Sequence, residues 1–320
     1  MIYGILAGLT WGAETVIIGI ALSMTPFLET SQAIVLAPFV STFLHDAFSA
    51  IFATIYNLVR GNAGNVWQAF KSKDGKWVIL AAAIGGPIGM GGYTMTINYM
   101  GASIGAVSSA IFPAIGAVLA RIFLKEKMRW YQWIFLIIAL AGVYGLSYSP
   151  ELDITNFWLG LVGALMCSFG WGIEAVIVAH GLKSDIVKDD YALQLRQTTS
   201  ALCYGIIVLP LMGGWKFTTT LFTGTGMLLP TIMLAALFAT VSYLCYYRAI
   251  SRIGAAKSMA LNVSYTAWAI LFTVLFLHDT SVLNPQTILC AIVVLISGIF
   301  AATDFKSLFS KNQEVSDAEA

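Results

Sequence analysis

One four-residue pattern occurs twice in this chain, as Trp11-Gly12-Ala13-Glu14 and as Trp171-Gly172-Ile173-Glu174. In a helix, residues three apart share a face, so each Glu lies one turn from its Trp. Both copies sit inside long apolar stretches, Ile2 to Ser23 and Phe157 to His180. A carboxylate in such a stretch is costly to expose to lipid, so it should face a cavity or a partner. The face of an indole attracts positive charge and a carboxylate supplies the counter-charge, which together suit an organic cation. A single copy could equally be a packing Trp beside a salt-bridged Glu. Two copies in the two halves of the chain favour a site.

Other residues could do chemistry beside them. His45-Asp46 lies in the second apolar stretch. Neighbours on a helix point about 100° apart, so the two cannot aim the same way, though both can border a cavity. They read as a candidate proton relay or as a polar brace to another helix. Arg196-Gln197-Thr198-Thr199-Ser200 is a polar run early in the seventh apolar stretch. Arg196 is placed to snorkel or to pair with Asp46 or Glu174, and pairing is the better reading because lipid punishes a lone guanidinium. Direct contact between Arg196 and a cation would be repulsive. Tyr243, Tyr246 and Tyr247 follow i, i+3, i+4 spacing, and Asn262, Tyr265 and Trp268 step by three. Aromatic stripes commonly belong to a core, but buried phenols need partners, which makes Tyr246 and Tyr265 the candidate cavity members.

The elements that position these groups follow from composition. The 320 residues are 58% hydrophobic and 10% charged, with a mean hydropathy of +0.82, whereas a soluble domain is about 25% charged. The chain is expected to be an all-α polytopic membrane protein. With about 20 residues per span, ten are expected, near 2–23, 32–58, 77–98, 102–124, 130–148, 157–180, 190–212, 226–250, 256–277 and 286–303. The four cysteines fall inside apolar stretches without metal spacing, so they read as small buried hydrophobes. The first apolar stretch has no basic region before it and carries Glu14, so it is expected to be retained rather than cleaved as a signal. A net charge of +1 without a basic arm gives no sign of nucleic acid.

Lys and Arg outside the spans fix a threading. With the N-terminus in the cytoplasm, fourteen fall on the cytoplasmic side and only Lys216 on the other, where Glu29, Glu151 and Asp153 also lie. By the positive-inside rule both termini are expected in the cytoplasm. The sequence also repeats. The two Trp-Gly-x-Glu copies are 160 residues apart, Tyr93 and Gly101-Ala102-Ser103 match Tyr246 and Gly254-Ala255-Ala256 at an offset of 153, and Leu124-Lys125-Glu126 matches Leu277-His278-Asp279 at that same offset. Five spans repeated is an odd number, so the second copy should lie inverted, an architecture that places a site at the repeat interface. The expected units are two inverted five-helix repeats, 1–150 and 151–303, followed by a polar cytoplasmic tail, 304–320, expected to be disordered. Gly85 to Gly92, with Pro87 inside it, should break or kink the third span, either for close packing or as a hinge. The chain shows no phosphate loop, dinucleotide turn or hydrolase motif. A head-group transferase would need clustered acidic metal ligands, and none is apparent.

These residues resemble the drug/metabolite transporter superfamily, EamA type, and more finely the LicB-type choline permeases. The resemblance rests on Leu44-His45-Asp46, Gly86-Pro87-Ile88-Gly89-Met90, Ser109 to Ile115, Trp171-Gly172-Ile173-Glu174, Leu195-Arg196-Gln197 and Leu261-Asn262-Val263-Ser264-Tyr265, and extends to about Ala302. It implies a choline importer of the bacterial cytoplasmic membrane, with the cation in an aromatic box and no cofactor. Trp11, Trp171, Glu174, Tyr246, Asn262 and Tyr265 are then expected at the substrate. Glu14, His45, Asp46, Arg196 and Gln197 are expected in proton coupling or gating, and no catalytic or metal-binding residue is expected. The pattern repeats the first-half Trp-Gly without fixing a Glu there, which makes Glu174 the expected counter-ion. The expected partners are choline, the bilayer and a proton as the candidate coupling ion. Export of amino acids or other small metabolites is the alternative.

Overall fold

The computed structural model describes residues 1–100, 102–147, 154–223 and 226–305. Among these there are helices and no strands. In chain order they are α1 Ile2–Leu22, α2 Ser31–Val59, α3 Ala63–Lys71, α4 Lys73–Ala83, α5 Gly91–Met100, α6 Ala102–Leu119, α7 Trp130–Ser147 and α8 Phe157–Gly181. There follow α9 Asp189–Cys203, α10 Leu209–Met212, α11 Trp215–Thr223, α12 Leu228–Ile253, α13 Ala255–Asn262, α14 Tyr265–Leu277 and α15 Pro285–Ala302. Asx and hydroxyl caps start several of them. Thr30 accepts from the Ala33 N–H, Ser72 from Gly75, Asn156 from Leu159 and Asn284 from Thr287, each satisfying a donor that the first turn leaves open.

Among the described residues nine stretches are long and apolar enough to cross a membrane, and a tenth arises if Asp189–Met212 and Trp215–Thr223 form one bent span. The first part of that seventh stretch, Asp189–Met212, coincides with the span expected near 190–212. Asp189, Asp190, Gln194, Arg196 and Gln197 make its first half polar, and the chain turns by 111° before α11. The Gly- and Pro-rich third span is not interrupted. It passes from α4 into α5 through a π-helical stretch, Ile84–Met90, which absorbs the missing donor of Pro87. The expected boundary at 150/151, Gly101 of the repeat match and the tail from 306 onward lie outside the described residues.

Small residues let helices approach closely, as suits packing in lipid. Gly4, Gly8 and Gly12 recur once per turn of α1 and lie against Leu261, Ser264 and the Tyr265 to Ala269 segment of α13 and α14. A methyl at Gly12 would strike the Tyr265 carbonyl and the Trp268 side chain. Gly116 of α6 likewise meets Gly172 of α8. Large apolar side chains on the outer helices, such as Ile137 of α7 and Leu289 of α15, are exposed at 63% each, as a lipid-facing surface requires.

Contacts among the helix ends show which of them share one end of the bundle. Arg252 stacks over Tyr3, and Arg248 binds Asp189 at 2.7 Å and Tyr56 at 3.1 Å. The start of α1, the end of α2, the start of α9 and the end of α12 therefore share one end of the bundle. Gly181, closing α8, packs against Asp74 and Val78 near the start of α4, and α3, between α2 and α4, bonds α9 through Asn65 and Tyr191. So α1 starts at the end where α8 finishes. Lys125 and His278, which the sequence offset pairs, are the non-glycine residues of positive φ among the described residues, at 59° and 53°.

Candidate functional site

The antiparallel run of α1 and α8 brings the two Trp-Gly-x-Glu copies to opposite sides of one cavity of about 430 Å³. Trp11, Glu14, His45, Asp46, Trp171, Glu174, Arg196, Tyr246, Asn262 and Tyr265 all line it. Gln197 does not. It is fully buried behind Arg196, accepting from its Nη1 at 2.6 Å and donating to the Ser49 hydroxyl at 2.7 Å, which in turn meets Thr240 Oγ1 at 2.8 Å. The cavity continues past Ile18, Gly19 and Leu22 of α1 and Pro38 of α2, toward the end of the bundle opposite Tyr3 and Arg248.

Five ionisable side chains form a chain across the cavity. Glu14 Oε1 lies 3.3 Å from His45 Nε2, and His45 Nδ1 lies 2.9 Å from Asp46 Oδ1. Arg196 Nη1 lies 3.5 Å from Asp46 Oδ2, and Arg196 Nε donates to Glu174 Oε1 at 2.8 Å. Of the two pairings open to Arg196, the structure makes both. The guanidinium also sits over the Tyr243 ring at 4.5 Å, a cation–π contact that suits a desolvated cation. With all three carboxylates ionised against one guanidinium, the formal charge is −2 with His45 neutral and −1 with it charged. The cavity therefore attracts a cation in either case.

The aromatic groups divide around Phe112 of α6, which is 4% exposed. Trp11 stacks on Tyr265 with centroids 4.5 Å apart and meets Phe112 at 6.4 Å. Trp171 meets the same Phe112 edge-on at 6.0 Å and Tyr93 at 5.8 Å. Phe112 thus contacts both indoles. Trp171 also donates its indole N–H to the Gly85 carbonyl at 3.0 Å. The glycines of the π-helical stretch make room for the second motif. A methyl at Gly85 would overlap the Glu174 carboxylate, and one at Gly89 would meet the Trp171 indole.

Phe112 and Tyr93 were not among the site residues expected from sequence. Phe112 sits within the Ser109 to Ile115 segment, but an aromatic on an apolar helix carries no sign of which way it faces. Tyr93 had a usable signal, since the offset of 153 pairs it with Tyr246, and both line the cavity. Among the described residues no His, Cys, Asp and Glu are grouped to hold a metal ion.

Fold and cavity define a multi-pass membrane protein built around one cavity of negative charge and aromatic faces. Residues 1–148 match the EamA-like transporter family, so the EamA resemblance holds over the first part of the chain. A curated relative, Protein LicB of Haemophilus influenzae, is 29% identical over 191 residues, which are 60% of this chain and 63% of that protein. The match thus spans less than two thirds of the relative's length. A solved crystal structure aligns with a TM-score of 0.68 over 94% of this chain and 96% of its own, at 16% identity, and so shares the fold. These likenesses support a membrane transporter.

Proposed function

We propose that the protein is a secondary transporter that imports choline or a closely similar quaternary ammonium ion by alternating access. The observation that carries this reading is the joint lining of one cavity by Trp11, Trp171, Phe112, Tyr93 and Tyr265 with three carboxylates and a single Arg. A quaternary ammonium donates no hydrogen bond, so its recognition falls to π faces and to negative charge. Arg196 bears against an amino-acid substrate, because its positive charge is already paired with Glu174 and Asp46. The resemblance of the sequence motifs to LicB-type choline permeases implies the same substrate class.

In this reading residues 1–150 and 151–303 are inverted repeats in a bacterial cytoplasmic membrane, with both termini in the cytoplasm. Support comes from the opposed directions of α1 and α8 and from the matched left-handed residues Lys125 and His278. An inside-negative potential supplies about 2.3 kcal/mol per 100 mV to a monovalent cation, enough for about fiftyfold accumulation. Protons are the candidate coupling ion, carried through His45 and Asp46. Thermal unfolding of purified protein with choline or with amino acids tests the substrate class. Stabilisation by choline alone is expected, and stabilisation by amino acids alone would overturn the reading.

A further inference from the structure

We infer that Glu14, rather than Glu174, is the counter-ion of the transported cation, and that Glu174 is a positioning residue for Arg196. The inference rests on the functional reading above and assigns the roles of its two carboxylates.

Both side chains are equally buried, with 7% exposure, and both line the cavity. Their partners differ. Glu174 accepts a charge-assisted hydrogen bond of 2.8 Å from a guanidinium, and its carboxylate is pressed against the Gly85 backbone. A cation placed beside Glu174 would also meet the positive charge of Arg196, which offsets what the carboxylate offers. Glu14 stands at the other end of the chain of charges. Its neighbour is His45 at 3.3 Å, and His45 Nε2 makes no hydrogen bond there, so the contact is an unaligned ion pair at most. This contact of Glu14 is longer than the 2.8 Å bond that Glu174 receives from Arg196. When His45 is neutral, Glu14 is a buried carboxylate with no cation of its own. When His45 is charged, it is shared with Asp46, to which it lies closer, at 2.9 Å. Trp11, one turn before Glu14, and Tyr265 stacked on it place aromatic faces on the same side of the cavity. Cation–π surface and unmatched negative charge thus coincide at the first motif, and at the second the charge is already matched.

The test compares choline with its neutral isostere, in which a quaternary carbon replaces the nitrogen, by calorimetric binding to purified wild type, Glu14→Gln and Glu174→Gln. The ratio of the two affinities reports charge recognition and is little affected by a general loss of folding. Glu14→Gln is expected to lower the preference for choline by about tenfold or more, the scale of a hydrogen bond or contact to a charged group. Glu174→Gln is expected to lower it by less than about threefold while lowering the unfolding temperature. The paired variant Glu174→Gln, Arg196→Gln removes both partners together and should keep the preference for choline better than Glu14→Gln does. A larger loss of preference in Glu174→Gln and in the paired variant than in Glu14→Gln, or equal losses, would overturn the inference. Wild-type protein that binds no choline would overturn the functional reading itself.

Discussion

Trp171 is tied by its indole N–H to the Gly85 carbonyl and Glu174 by a 2.8 Å bond to Arg196, whereas Trp11 holds its place by stacking on Tyr265 and Glu14 by a 3.3 Å approach to His45. The two motifs have Trp, Gly and Glu at the same spacing, and the family resemblance favours Glu174 as the counter-ion. The difference lies in what the neighbouring helices bring. The π-helical stretch offers the second motif a bare glycine backbone and a free carbonyl, and α9 offers it an Arg. The first motif receives aromatic rings from α14 and α6 and an imidazole from α2. One copy is built into the scaffold and the other is left with unmet electrostatic demand. Under the proposed inverted-repeat arrangement, two matched motifs can in this way still give a monovalent ligand a single place for its charge.

The largest effect that separates the copies is on stability. Glu174→Gln leaves a buried guanidinium with Asp46 as its remaining, more distant counter-charge, and a cost of about 3–5 kcal/mol is expected. Glu14→Gln removes a longer contact to His45 and leaves no guanidinium unpaired, so its cost should be clearly smaller. Chemical or thermal unfolding in detergent measures both, and similar losses would erase the distinction drawn between the motifs.

Next comes the glycine backing. Gly85→Ala should displace the Glu174 carboxylate and Gly89→Ala the Trp171 indole, each at about 1–3 kcal/mol of overpacking. Gly91, whose added methyl would meet no atom within 4 Å, should be stabilised by Ala by about 0.5–1 kcal/mol. Unfolding midpoints of the three variants check this, and a Gly85→Ala protein as stable as Gly91→Ala would show that the close approach is not needed.

Binding should then distinguish the indoles. Trp11→Leu is expected to weaken choline by about 1–2 kcal/mol with little change in stability, the scale of a desolvated cation–π contact. Trp171→Leu should lose stability as well, because its hydrogen bond to Gly85 goes with it. Calorimetry beside unfolding measurements separates the two, and unchanged choline affinity in both would remove the indoles from the site. The smallest effect on binding is expected at the hub between the copies. Asp46→Asn should retain choline binding and counterflow exchange and lose the response to an imposed pH gradient. Transport by the variant that still follows the gradient would take the proton away from Asp46.

The helical class, the repeated motif and the meeting of Arg196 with Asp46 and Glu174 were legible because each rests on residue type and depth, which a linear chain displays. The unequal binding of the two Glu residues was not. It depends on where α2 and α9 set His45 and Arg196 relative to α1 and α8, and distances between helices are not written in spacing along one helix. Phe112 was hidden for a related reason: an apolar helix has no polar face to show which ring turns inward. The passage of the third span through a π-helical stretch was half legible. Pro87 among glycines announced an irregularity, but not its π-helical form or the close approach of Glu174 and Trp171 to Gly85 and Gly89.

Uptake of labelled choline into liposomes holding the purified protein tests the proposed transport most directly. With an inside-negative potassium diffusion potential and no other gradient, choline should accumulate, collapse of the potential should release it, and amino acids should neither compete nor exchange. No choline uptake under that potential, together with exchange of amino acids by the same protein, would contradict the proposed choline import.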